Sequence, residues 1–346
     1  MAWGHHEKLV NLALQGGGAH GAFTWGALDR LLDEPRLGFE AITGASAGAM
    51  NAAMVKTGYL DGENEGARAQ LDKYWGEIRR QSVLNVNPFR DWLKAFAPGA
   101  AGVADLVYTS PSYAMQDFLQ RTISPYDWNP LNINPLRSLL EDLIDFDAVC
   151  RECNPHLHVC ATNVRTGKIK VFTDADLSID VILASAALPF LFKAVEIGNE
   201  AYWDGGYTGN PALYPLVQSD SRDILIVHVN PIERPDVPTS ARDILNRVNE
   251  ISFNTSLLRE LRAIDFVQKM IEDGHLSRKA ENNRLIHSIR NDPVMADLNV
   301  ATKLSPEPEL IDYLKAEGQK AADAFLTAHW GDLGECSTVD LREMFD

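Results

Sequence analysis

An alternating apolar run, LVNLALQ at residues 9–15, passes straight into Gly16-Gly17-Gly18, and a fourth glycine follows at Gly21. The run has the pattern of a buried strand. The following GAFTWGALDRLLDE places Phe23, Ala27, Leu28 and Leu31 on one helical face. Each glycine is costly in chain entropy, so three in a row at a strand-to-helix turn mark a place where bare backbone is required. The pattern then recurs: FEAITG is a short strand, GASAG its turn, and AGAMNAAMVKTGYL a helix of small residues. Strand, turn and helix, twice over, predict a parallel sheet covered by helices.

HLHVCATNV and KIKVFTD, joined by a turn at Thr166-Gly167, add strands, as do AYWDGG and DILIVHVNP. The sheet therefore draws on both halves of the 346-residue chain, which argues against an early domain boundary. The expected fold is α/β: a three-layer α/β/α arrangement around a central, mostly parallel sheet, with a C-terminal helical extension. Residues 9–217 form the expected catalytic core, and residues 218–346 the final core strand and the extension. Within the core, residues 60 to about 145 read as an irregular, lid-like insertion rich in Pro, Asn and aromatics, among them Trp92, Phe96, Tyr126 and Trp128. It either covers the sheet edge or lines an acyl pocket. Past residue 238, Ser240 opens a long helix that Gly274 closes, and a second helix runs from Ser305-Pro306 to Gly331.

A formal net charge of −16 excludes nucleic acid as a partner and leaves no basic patch for anionic lipid heads, so any peripheral membrane contact must be apolar. No apolar run is long enough to span a bilayer, and MAWGHHEKLV lacks the form of a secretion signal, so a cytoplasmic location is expected. Cys150, Cys153, His156, His158 and Cys160 have spacings that a metal could use. The same residues also fit a half-buried strand, with Leu157, Val159 and Ala161 on one face and the histidines and Cys160 on the other. No metal or cofactor is expected, and a metal assay tests the cluster.

Gly16, Gly18 and Gly21 match the G-x-G-x-x-G of dinucleotide sites. In that reading the second strand should end in an acidic residue, yet it ends in Gly44-Ala45-Ser46-Ala47-Gly48, a G-x-S-x-G between strand and helix. That is the setting of a nucleophile elbow, in which a tight turn presents the Ser46 hydroxyl and leaves no room for Cβ atoms beside it. An acyl-transfer enzyme also needs an oxyanion hole. The backbone N–H groups of the turn at Gly16, Gly17 and Gly18 fit it, Gly17 and Gly18 best. A base is needed as well, and Asp204, at a strand end and followed by Gly205 and Gly206, stands where an active-site acid would.

GGGAHG, GASAG and DGG, in that order and each at a strand end, together with ASAALPFLFKAVEI ahead of YWDGG, resemble the patatin-like phospholipase family over roughly residues 9–217. The resemblance implies a serine hydrolase of lipid acyl esters. Ser46 would be its nucleophile, Asp204 the base that takes the proton directly, and the glycines at 16–18 the oxyanion hole. The family's glycine motif usually carries Arg or Lys where this chain has His20. Two rivals stand beside this reading. One is an esterase with a Ser46, Asp204, His228 triad, although His228 lies within a strand pattern. The other is a phosphate- or nucleotide-binding module in which the glycine turn holds the ligand. The expected partner is a lipid or acyl-ester substrate, and an oligomer is allowed.

Overall fold

The computed structural model describes residues 6–84, 124–151, 154–277, 283–298, 302–303 and 306–345. Its strands are β1 (Lys8–Leu14), β2 (Leu37–Gly44), β3 (His156–Asn163), β4 (Ile169–Thr173), β5 (Val195–Ile197), β6 (Glu200–Asp204), β7 (Asp223–Val227) and β8 (Leu285–Ile289). Its helices are α1 (Gly21–Leu32), α2 (Ala47–Leu84), α3 (Pro125–Trp128), α4 (Pro135–Leu143), α5 (Phe146–Arg151), α6 (Ile179–Ser185), α7 (Ala241–Glu272), α8 (Asp292–Ala296) and α9 (Pro308–His329). All the strands share one sheet, in the order β5-β6-β3-β2-β1-β7-β8 with β4 also paired to β3. The pairs β3-β2, β2-β1, β1-β7 and β7-β8 are parallel, and the other pairs are antiparallel.

Alternation along the central strands splits the core in two. Val10, Leu12 and Leu14 of β1, with Leu225 and Val227 of β7, face a large cluster that includes Leu28 of α1, Met54 and Trp75 of α2, and Leu314 and Phe325 of α9. Ala13, Ile224, Ile226 and Ile286 face the other side, against Leu257 and Leu261 of α7. Helices thus cover both faces of the sheet, which is the expected three-layer arrangement. The C-terminal helical region is also present, and its helix α9 is a wall of the main core rather than an addition to it. At the crossing of α1 and α9, Gly26 touches the Lys315 carbonyl and Gly318 the Phe23 carbonyl, so the absence of side chains lets the two backbones approach.

Two expectations are corrected. Residues 60–84 are not irregular: α2 continues to Leu84 across a kink at Gly62 and Glu63. Ala67, Leu71, Tyr74 and Trp75, all buried, recur at helical spacing and seat this half of the helix on the core. The glycines and charges of DGENEG hide that period in the sequence. Of the rest of the expected insertion, 125–128 and 135–143 are helical, while Trp92 and Phe96 lie outside the described residues. Second, β7 is not the final core strand. The apolar run LIHSI forms β8 and pairs with β7 in parallel register, Leu225 opposite His287. A five-residue strand between helices carries too little period to announce itself.

Candidate active site

The sheet register brings the two motif ends together. Val159 of β3 pairs with Gly44 of β2 and, on its other edge, with Phe172 of β4. Two residues on, Ala161 pairs with Asp204 of β6 and with Lys170 of β4. β2 and β6 therefore lie on the same edge of β3, running toward each other, and their C-terminal ends meet. Past one end stands Ser46, and at the other stands Asp204.

Ser46 has φ +52, in the left-handed region that a side-chain-bearing residue rarely adopts. Such strain persists only where the surroundings over-determine it. Here the Ser46 backbone N–H donates to Ser185 Oγ at 2.9 Å and faces the Ser185 carbonyl at 3.1 Å, and the Ser185 hydroxyl donates to the Cys160 carbonyl at 2.7 Å. A Cβ on Gly16 would come within 2.7 Å of the Ala45 carbonyl and of Ser46 Cβ, and a Cβ on Gly48 would strike the Leu14 carbonyl. The glycine turn and the serine turn are thus packed backbone to backbone. Gly21 lies against Ala47, Gly44 against Gly48, Gly205 against the Cys160 carbonyl, and Gly206 against Phe253 and the Asp204 carboxyl.

The Asp204 side chain is almost wholly buried, at 1% exposure. Burial pushes its carboxyl up to about 7, against hydrogen bonds from the Gly206 N–H at 2.7 Å and the Ser46 hydroxyl, and against the field of Lys303. Desolvation favours the neutral acid. The result is a carboxylate that binds a proton far better than an exposed one and that feels the nearby Ser46 hydroxyl.

Around the glycine turn lies a polar network that sequence reasoning missed. The Gly16 N–H donates to Asn210 Oδ1 at 2.7 Å, and the Gly16 carbonyl accepts from Asn230 Nδ2 at 2.9 Å. Gln15 Oε1 accepts from the backbone of Val229 and Asn230, and Gln15 Nε2 donates to Asn254. The Gly16 N–H is therefore committed to the scaffold. Among the described residues no acceptor takes the N–H of Gly17 or Gly18. Asn210 and Asn230 each precede a proline, Asn230 at the end of the apolar stretch ILIVHV, which was the one available signal.

Other candidates lie apart from this site. His228 is buried, neither ring nitrogen has a hydrogen-bond partner among the described residues, and burial lowers it to about 3. It makes no link to Ser46 or Asp204, so the triad is not assembled. His20 is buried and neutral, with Nε2 2.8 Å from Thr302 Oγ1. Of the cysteine and histidine cluster, Cys150 donates to the Leu177 carbonyl, Cys160 is buried beside Ala212, and His156 pairs with Asp174, while Cys153 is outside the described residues. No group of three or more potential metal ligands is gathered among the described residues.

A strained serine at a strand-to-helix turn, near a buried carboxyl and a glycine turn on an α/β/α scaffold, is the arrangement expected of a serine hydrolase. Within that class, the chain belongs to the patatin-like phospholipase family, whose model it matches over residues 12–217, and so to a family of lipid acyl hydrolases. A search of curated proteins finds no match. Among solved structures, the chain is similar to VipD from Legionella pneumophila, at 15% identity and TM-score 0.38, covering 95% of this chain and 68% of that one. It is also similar to the heterodimeric ExoU-SpcU complex from the type III secretion system of Pseudomonas aeruginosa, at 19% identity and TM-score 0.28. That match covers 98% of this chain and 65% of the other, so this chain spans less than two thirds of it. No helix among the described residues is long and apolar enough to cross a membrane.

Proposed function

We propose that the chain hydrolyses carboxylic esters of lipids, phospholipids included, through a Ser46–Asp204 dyad and an acyl-enzyme intermediate. What supports this reading is the convergence of Ser46, held at φ +52, and the buried Asp204 carboxyl where the ends of β2 and β6 meet on one edge of β3. Asp204 takes the hydroxyl proton as Ser46 Oγ attacks the acyl carbonyl carbon, and the oxyanion so formed accepts from the Gly17 and Gly18 N–H groups. The tetrahedral intermediate collapses, the protonated Asp204 gives its proton to the departing alkoxide, and the acyl group stays on Ser46. Water then attacks the acyl-enzyme with Asp204 again as base, releasing the acid and restoring the serine.

Access is apolar in this reading. Leu131, Ile133, Phe190 and Tyr126 are exposed by more than half. They lie in segments joined by bonds from the Ala194 N–H to the Tyr126 hydroxyl and from Lys193 to the Pro130 carbonyl, and Phe190 lies just past α6, which holds the Ser46 turn. Peripheral contact with a lipid surface follows from that placement.

Ser46→Ala is expected to abolish ester hydrolysis and fluorophosphonate labelling with the melting temperature retained. Undiminished hydrolysis in that variant refutes the reading. Tight nucleotide binding by a wild-type chain that cleaves no ester would support the binding-module alternative instead.

A further inference from the structure

Lys303 does not appear in any motif, yet it stands over the glycine turn. Its backbone carbonyl is the atom that a Cβ on Gly18 would strike, and its Nζ lies 6.0 Å from the centre of the Phe253 ring and donates to Asn230 Oδ1 at 2.6 Å. An ammonium has no acceptor to offer, so this contact fixes the orientation of the Asn230 amide: its oxygen faces Lys303 and its NH₂ faces inward. The inward NH₂ donates to the Gly16 carbonyl at 2.9 Å and faces Gln15 Oε1 at 3.3 Å. The peptide group whose carbonyl belongs to Gly16 has the Gly17 N–H at its other end.

We propose that Lys303 is a positioning residue that polarises the oxyanion hole through two amides, from its ammonium to Asn230, from Asn230 to the Gly16 carbonyl, and through that peptide to the Gly17 N–H. The inference rests on the reading of Ser46 as nucleophile and Gly17 as oxyanion donor. A charged donor on an amide oxygen shifts electron density toward that oxygen and makes the same amide's N–H groups stronger donors. Hydrogen bonds in such a chain reinforce one another in a low-dielectric interior. The relay delivers part of a positive charge to a developing oxyanion without bringing an ammonium into contact with substrate.

The charged groups that act on Lys303 come from three directions, Glu250 on α7, Arg234 in the segment after β7 and Asp204 at the end of β6, and the titratable His20 on the glycine turn is held neutral beside it. Glu250 is itself bound by Arg234, at 2.6 Å, and by Arg247, which leaves the ammonium only partly balanced. Burial lowers Lys303 to about 8, so its charge is present at neutral pH and lost in the mildly alkaline range.

The test compares wild type, Ser46→Ala, Lys303→Met and Lys303→Ala on a short-chain p-nitrophenyl ester, with fluorophosphonate labelling of Ser46 as a second readout and thermal melts as the control. Removing one oxyanion donor typically costs about 10²–10³ in kcat; weakening one should cost less, and Lys303→Met is expected to lower kcat about 10- to 50-fold with KM changed by less than about threefold. Labelling should slow in parallel, and n-butylammonium should restore part of the rate to Lys303→Ala. The alkaline limb of the wild-type kcat profile, near pH 8, should be missing from Lys303→Met. A Lys303→Met chain that melts and turns over like wild type overturns the relay and leaves Ser46 and Asp204 in place. If the Lys303 variants do not fold, a wild-type kcat that stays flat through the alkaline range overturns it. A Ser46→Ala chain that remains active, or a wild type inert to both ester and fluorophosphonate, overturns the dyad and the relay together.

Discussion

Ser185 holds the backbone of Ser46: its Oγ accepts the Ser46 N–H at 2.9 Å and passes a hydrogen bond on to the Cys160 carbonyl at 2.7 Å. One hydroxyl thus ties the strained turn to β3, whose register also positions Asp204. Ser185→Ala should deprive the Cys160 carbonyl of this donor, leave the Ser46 N–H only the Ser185 carbonyl, and cost about 1–3 kcal/mol of stability. It should also lower kcat more than it raises KM, because the serine turn is no longer fixed. A denaturant titration and steady-state kinetics check both; a variant equal to wild type in each would show that the Ser185 carbonyl alone suffices.

Asp204 couples activity to pH. Its carboxyl titrates at about 7 in the folded chain, so kcat/KM should rise as pH climbs through that value, where the base becomes available. Asp204→Asn should reduce turnover by about 10²–10⁴-fold or more. The stability effect has the opposite sense. Between the ordinary carboxyl value of 3.8 and about 7 the folded state holds a proton that the unfolded state has lost, so stability falls as pH rises through this window. Asp204→Asn should therefore raise the melting temperature at pH 8 and have little effect at pH 4.

His228 gives a contrasting case. It stays neutral in the fold down to about pH 3 against the ordinary imidazole value of 6.5, because it is buried without hydrogen-bond partners among the described residues. Within that window the unfolded state binds the extra proton, so the fold loses stability as pH falls. His228→Leu should flatten this acid dependence while leaving ester hydrolysis near the wild-type rate. A dead but well-folded variant would restore the triad.

Glycines separate by surroundings. Gly16→Ala would place a methyl group 2.7 Å from the Ser46 Cβ and the Ala45 carbonyl, and should abolish activity by forcing the two turns apart. Gly76, inside α2, has nothing within 4 Å of an added Cβ. Gly76→Ala should stabilise the chain by about 0.5–1 kcal/mol, read as a higher denaturation midpoint with unchanged kinetics.

If substrate enters across the apolar segments, kcat/KM on p-nitrophenyl esters should climb about three- to fourfold per CH₂ until the acyl site is full, given about 0.8 kcal/mol per buried CH₂. Replacing Leu131, Ile133 and Phe190 by Ser should weaken action on phospholipid vesicles and spare a short soluble ester, with no relief from lowering the salt. A preference for acetyl esters would remove the case for a lipid substrate.

Local patterns already specified the class of fold and the two turns. Alternation in LVNLALQ and DILIVHVNP, helical spacing after Gly21, and the glycines flanking Ser46 all act through near neighbours in the chain, so they can be read before any tertiary contact is known. The same is true of the helix opened by Ser240 and closed at Gly274, whose φ of +78 the sequence required. Other features arose only from packing. The continuation of α2 beyond Gly62 depends on the core that receives Ala67, Leu71 and Trp75, and β8 depends on a partner strand that its five residues cannot specify alone. The meeting of Ser46 with Asp204 depends on β2 and β6 sharing one edge of β3, a register between segments more than a hundred residues apart. Lys303 and Asn230 carry no motif, and Ser185 stands in ASAALPFLFKAVEI with nothing local to mark its hold on Ser46, because these roles lie in distances and burial that exist only once the chain has folded.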